Sequence, residues 1–136
     1  MPAKHHINTN TRLLITTWEG DAVDMDMIEA IKKYQMTILC NTDYDNFNEI
    51  LDLTKVTAMK LTTDGIKRIG SIALNTDKNR VAAKLAIIVS SNIAYGLARM
   101  YVTYRSLSTE SSKEIRIFKN EESAYEWAGA KNKLIS

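Results

Sequence analysis

Leu85-Ala86-Ile87-Ile88-Val89 is an unbroken apolar run, and Ser90-Ser91-Asn92 follows it directly. Beyond it Ile93, Leu97, Met100 and Tyr104 recur at helical spacing. A continuous apolar run is the pattern of a strand covered on both faces. A polar trio between such a run and an apolar stripe of period 3.6 reads as a helix start with its cap. Strand, cap and helix in that order predict crossover connections and a mostly parallel sheet.

Reading outward from there, Ile115-Arg116-Ile117-Phe118 is the last strand, and Asn120 caps a last helix. Glu121 and Glu122 stand in that helix's first turn, with Ala124, Trp127 and Ala128 facing inward. Upstream, Val56 to Leu61 leads into Thr62-Thr63-Asp64, a capping sequence ahead of Ile66, Ile69, Ile72 and Ala73. Gly65 and Gly70 each weaken this helix by roughly 1 kcal/mol relative to alanine, so packing is expected to hold it. Asn75 to Arg80 reads as a charged loop, Asn41 to Asn48 as a polar loop, and Ile50 to Leu53 as a short strand. A helix is expected from about Asp24 to Gln35, capped by Asp24, with Val23, Met27, Ile28, Ile31 and Tyr34 on its buried stripe. The chain opens on a hairpin, His5 to Asn8 against Arg12 to Trp18, and Gly20-Asp21 closes the second strand. The expected order is β-β-α-β-α-β-α-β-α.

The 136 residues contain no internal repeat and one proline, Pro2, so a single domain over 1–136 is expected. Hydrophobic residues at 45% and charged residues at 25% are globular values and exclude a disordered chain. The 18 basic and 16 acidic residues give a net charge of +2, and the basic ones cluster only as Lys32-Lys33 and Lys67-Arg68. A nucleic-acid partner is therefore not expected. The single cysteine, Cys40, can close neither a disulfide nor a cysteine-based zinc site. The first residues lack a secretory apolar core, and the longest charge-free stretch, Leu85 to Ala98, is too short for a transmembrane segment. The expected location is cytoplasmic.

Ligands of such sheets bind beyond the carboxyl ends of the strands, where helices begin. Two segments share that position: Lys60, Thr62, Thr63 and Asp64, and Ser90, Ser91 and Asn92. Their hydroxyls and free backbone N–H groups suit an anion or a phosphorylated side chain, and equally suit ordinary N-caps. His5 and His6 point to opposite faces of a strand and share no metal. Asp21, Asp24 and Asp26 lack the glycine and closing glutamate of an EF-hand. No phosphate loop, nucleophile elbow or metalloprotease helix is present, so no enzyme, cofactor or metal is expected. In the helix after Asn92, Ala94, Ala98 and Tyr101 form a second apolar stripe, with Tyr95, Gly96 and Arg99 beside it. That width reads either as a well-buried helix or as a partner surface or ligand groove, and Gly96 points to a close approach by a backbone or ligand.

Asp52-Leu53-Thr54-Lys55-Val56-Thr57 resembles the strand-to-helix segment of STAS domains, the sulphate-transporter and anti-sigma-factor-antagonist family. The whole chain is similar to the stand-alone stage II sporulation protein AA-like group. The similarity runs through Ala86-Ile87-Ile88-Val89, Ala94-Tyr95-Gly96-Leu97-Ala98-Arg99-Met100-Tyr101, Glu114-Ile115-Arg116-Ile117-Phe118 and Ala124-Tyr125-Glu126-Trp127. The resemblance implies an α/β fold with a four- or five-stranded mixed sheet and about four helices packed mainly on one face. It also implies a non-catalytic regulatory role with another protein as partner. Anti-sigma antagonists open the helix after this strand with a phosphorylated Asp-Ser pair. Lys60-Leu61-Thr62-Thr63-Asp64-Gly65 stands here instead, which leaves Thr62 or Thr63 as the nearest hydroxyls and does not carry the phospho-switch over. The alternative is a binding protein for a small apolar or amphipathic molecule or lipid at a membrane surface, with the helix of Tyr95, Arg99 and Tyr101 lining its groove and Arg99 meeting an acidic head. An edge strand or exposed stripe leaves a homodimer open.

Overall fold

A computed structural model describes residues 2–77, 83–107 and 113–129. Its strands are β1 (Ala3–Asn8), β2 (Leu13–Ala22), β3 (Asn48–Met59), β4 (Lys84–Ile88) and β5 (Glu114–Phe118). Its helices are α1 (Asp24–Tyr34), α2 (Thr63–Asp77), α3 (Asn92–Ser106) and α4 (Glu121–Ala128). The strands lie side by side in chain order as one five-stranded sheet. The β1–β2 hairpin is antiparallel, and every later pairing is parallel. The expected element order and mixed sheet are both realised.

Side-chain alternation sorts the helices onto two faces. Leu13, Ile50, Ala86 and Ile88 point to one face and pack on Ala124 and Ala128 of α4. Trp18, Leu53, Ile87 and Val89 point to the other and meet Ala94 and Ala98 of α3. On the same face Leu14 packs with Tyr34 of α1. Helices α1, α2 and α3 thus share one face, in that order across the sheet, and α4 covers the other alone. The central apolar run Leu85 to Val89 is covered on both sides, as its composition requires.

Several expectations need correction. Gly20 does not end β2: with φ +91 it sits among register shifts, and the strand runs on to Ala22. A bulge kinks a strand without stopping it, and glycine supplies the positive φ. The short strand expected at Ile50 to Leu53 is a twelve-residue strand, because its second half pairs with the extension of β2 as far as Ala22↔Met59. Asp24 does not cap α1; Val23 holds that position with no side-chain bond. Thr63 begins α2, which continues through Asp77, so Asn75 to Asp77 of the expected loop are helical and the rest of it lies outside the described residues.

The face that α3 turns inward also differs. Ile93 is 68% exposed and Met100 39%, whereas Ala94 and Ala98 are buried. Alanine lets the helix axis come close to the sheet, where Ile93 and Met100 would hold it off. Gly96 has open space where a Cβ would stand, so it marks no close approach. The close approaches are at the glycines of α2. A Cβ on Gly65 would strike the Asp24 carboxylate of α1, and one on Gly70 would lie 2.8 Å from the Tyr104 ring of α3. These two glycines let α2 nest between its neighbours, which offsets their poor helix propensity.

Candidate functional site

Between the sheet and the layer of α1, α2 and α3 lies a cavity of about 150 Å³. Most of its wall is apolar, with Trp18, Leu53, Ile69, Ile87 and Ala98 among the lining residues. A turn of π-helix, Gln35–Leu39, continues α1. Such turns insert a residue into a helix and are frequent at functional sites. Gln35 in this turn donates to the Ile72 carbonyl of α2 at 2.5 Å and to Thr76 Oγ1 at 3.2 Å. Both Gln35 and Leu39 line the cavity.

The same wall carries a cluster of polar groups. The Lys113 ammonium is ion-paired with the Glu49 carboxylate, with side chains only 4% and 8% exposed. Tyr34 Oη donates to Glu49 Oε1 at 3.0 Å. His5 stacks on Tyr34 with ring centroids 4.8 Å apart and shares a 2.8 Å hydrogen bond with Thr16 Oγ1. Glu49, Lys113, Tyr34, His5 and Thr16 all line the cavity. Position follows from strand register: Glu49 lies near the start of β3, beside Leu85 of β4, and Lys113 immediately precedes β5. The charged pair therefore spans β4 at the amino ends of the parallel strands. Burying two charges costs several kcal/mol per ion unless they are paired and hydrogen-bonded, as these are.

Burial, and after it the Lys33 ammonium, hold His5 below the ordinary imidazole range. An unfolded His5 takes up a proton as pH falls through about 6.5, the ordinary imidazole value, and the folded one resists it. The stability this contributes is complete above that pH and is lost as pH drops below it toward the folded value. Urea unfolding at about pH 7.5 and about pH 5.5 should show lower stability at the acid value, with a smaller drop in His5→Gln.

The residues predicted at the carboxyl ends of the strands stand at the other edge of the sheet. Ser91 caps α3 by accepting from the Ala94 N–H at 3.1 Å, Ser90 Oγ donates to the Thr54 carbonyl at 3.4 Å, and Asn92 Oδ1 accepts from Lys119 at 3.2 Å. At the start of α2, Thr62 donates to Asp24 through its N–H at 2.9 Å and its hydroxyl at 2.5 Å, and Thr62 Oγ1 accepts from the Gly65 N–H. Lys60 Nζ pairs with Asp21 at 3.2 Å. Hydrogen bonds from Thr57 and Lys60 hold the Asp21 carboxyl below its usual range. Thr63 and Asp64 are exposed. An anion arriving at Thr62 would thus meet the Asp24 carboxylate already in place.

Of the three residues singled out on α3, Tyr101 lines the cavity. Its hydroxyl accepts from Arg105 Nη1 at 2.9 Å. Tyr95 lies outside the cavity with Lys119 5.0 Å over its ring, and Arg99 is exposed. The cation at the cavity is Lys113, which sequence reading did not single out. A lone lysine ahead of an apolar strand carries no signal of burial; only the register of three strands brings it to Glu49. His6 is exposed while His5 faces inward, Cys40 is exposed, and no cluster of metal-ligating side chains occurs among the described residues. No helix among the described residues is long and apolar enough to cross a membrane.

No protein-family model matches the chain, and no curated protein matches it significantly. Among solved structures it is similar to an uncharacterised protein of the DUF3478 family from Shewanella loihica PV-4, described as having a SpoIIAA-like fold. The two share 13% identity with a TM-score of 0.55, over 93% of this chain and 91% of the other. At that identity the likeness speaks for architecture alone, and it agrees with strand order, helix placement and the resemblance of the sequence. The chain has a SpoIIAA-like, STAS-like α/β fold.

Proposed function

We propose that the protein is a non-catalytic binding module whose ligand is a small, largely apolar molecule held between the sheet and α1 to α3. The observation that carries this reading is the 150 Å³ apolar cavity with a cluster of polar groups in its wall. Cores are normally packed to crystal density, and a void of this size forfeits dispersion contacts over its whole lining. A cavity of about 150 Å³ accepts one six-membered ring, or a chain of similar size. Long lipid tails exceed it. The matching experiment is thermal unfolding with increasing concentrations of toluene or a short alcohol. A ligand that binds only the folded chain raises the midpoint continuously, by about 2.7 kcal/mol of stability at a hundred times its Kd. No rise near the solubility limit of such probes would overturn the reading.

A second reading is a regulatory protein–protein module, supported by the SpoIIAA-like fold and by the exposure of Thr62, Thr63, Asp64 and Ser90 to Asn92 at one sheet edge. On this reading Thr62→Ala, Thr63→Ala and Ser91→Ala together abolish capture of a specific partner from native lysate. Unchanged capture would sink it.

A further inference from the structure

The two basic pairs of the sequence, Lys32-Lys33 and Lys67-Arg68, are far apart in the chain, and the fold sets them on neighbouring helices, α1 and α2. Along the seam between these helices Lys32, Lys67, Arg68, Ser71 and Ile72 line a groove of about 360 Å³. No residue lines both this groove and the cavity beneath the helix layer. We propose that the groove binds an acidic segment of another protein, a run of carboxylates with an apolar residue among them.

Charge complementarity identifies the occupant. Lys32, Lys67 and Arg68 are all exposed, and none of them is ion-paired among the described residues. Glu29 and Asp64 stand three residues ahead of Lys32 and Lys67 on the same helices, yet neither lines the groove. Its walls therefore carry three positive charges, from two helices, and no negative one. Like charges across a groove repel, and an anion seated between them relieves that repulsion. Carboxylates suit the donors present. The Arg68 guanidinium can hold one through two parallel N–H···O bonds, and Lys32 and Lys67 meet others as point charges. Half-buried Ile72 offers apolar surface to a side chain lying between those carboxylates. Ser71 Oγ is already engaged with Tyr104 Oη at 3.0 Å, which leaves recognition to the cations. Nucleic acid fits less well, since no aromatic side chain lines the groove to stack a base and so few cations neutralise few phosphates. A lipid surface is broad and flat, whereas these charges line the walls of a groove.

The probe is a short fluorescein-labelled peptide of glutamates flanking one leucine, titrated into the full chain at low salt and followed by anisotropy. Beside it run the same peptide with lysines for glutamates, a labelled oligothymidylate, and vesicles of phosphatidylcholine with phosphatidylserine. The glutamate peptide should bind, and raising salt from about 50 mM to about 500 mM should weaken it at least about tenfold by screening. Lys67→Glu/Arg68→Glu should weaken it at least about tenfold, and Lys32→Glu, from the other wall, about threefold or more. Lys55→Glu/Lys119→Glu makes the same change in net charge away from the groove and should cost no more than about twofold. All five substituted side chains are exposed, so the variants should keep the wild-type Tm. No binding of the glutamate peptide would overturn the assignment, as would equal losses in the two double variants. Tighter binding of the lysine peptide, the oligothymidylate or the vesicles would overturn it too.

Discussion

Lys113→Met is expected to cost about 3–5 kcal/mol at neutral pH, the cost of stripping the partner from a buried ion. Methionine matches the length of the lysine stem and keeps the packing, so the loss is electrostatic. The Glu49 carboxylate stays buried beside Tyr34 without the ammonium that faces it in the wild type. A domain of this size is stable by only about 5–15 kcal/mol, so the variant should unfold at markedly lower urea. A further result identifies the cause. Glu49→Gln/Lys113→Met should recover most of the stability, since a neutral amide still accepts from Tyr34 and no net charge remains. A Lys113→Met variant within about 1 kcal/mol of wild type would show that the ammonium is solvated in solution.

Glu49 and Lys113 sit far apart in the chain, one at the start of a strand and the other just ahead of one, and a single charge there reads as solvent-facing. Their meeting is a consequence of parallel register across β3, β4 and β5. The rule that ligands bind at the carboxyl ends of parallel strands directed attention to Thr62 and Ser91, at the opposite edge. There the hydroxyls are engaged in capping and in the Thr62–Asp24 contact. Element order, by contrast, was legible, because it rests on local signals: the double-sided apolar run Leu85 to Val89, the caps Ser91 and Asn120, and the periodic stripes. The lengths of β2 and β3 were not, since Glu19 to Ala22 and Lys55 to Met59 are mostly polar or small and pair with each other beyond the apolar body of the sheet. On α3 two stripes were equally apolar by composition. Side-chain size decided between them, and Ala94 and Ala98 went inward. Tyr101 belongs to that stripe and reached the cavity, whereas Arg99 did not.

That small-residue stripe also offers the means of closing the cavity. Ala98 is 7% exposed, lines the cavity from α3, and packs in the cluster of Trp18, Leu53 and Ile87. Ala98→Leu projects three more carbons into the void. One leucine fills part of it, so a gain of roughly 1–2 kcal/mol is expected, or about 4 °C in Tm for each kcal/mol. The same substitution should abolish the rise in Tm that toluene or a short alcohol gives the wild type, because side chain and ligand compete for one volume. Gain in stability and loss of ligand response must therefore appear together. Ala73→Leu, which enters the cavity from α2, provides an independent check from another wall. If Ala98→Leu were destabilising by about 1–3 kcal/mol, as overpacking a filled core is, and Ala73→Leu behaved alike, the interior would be closed in solution and no ligand would have room there.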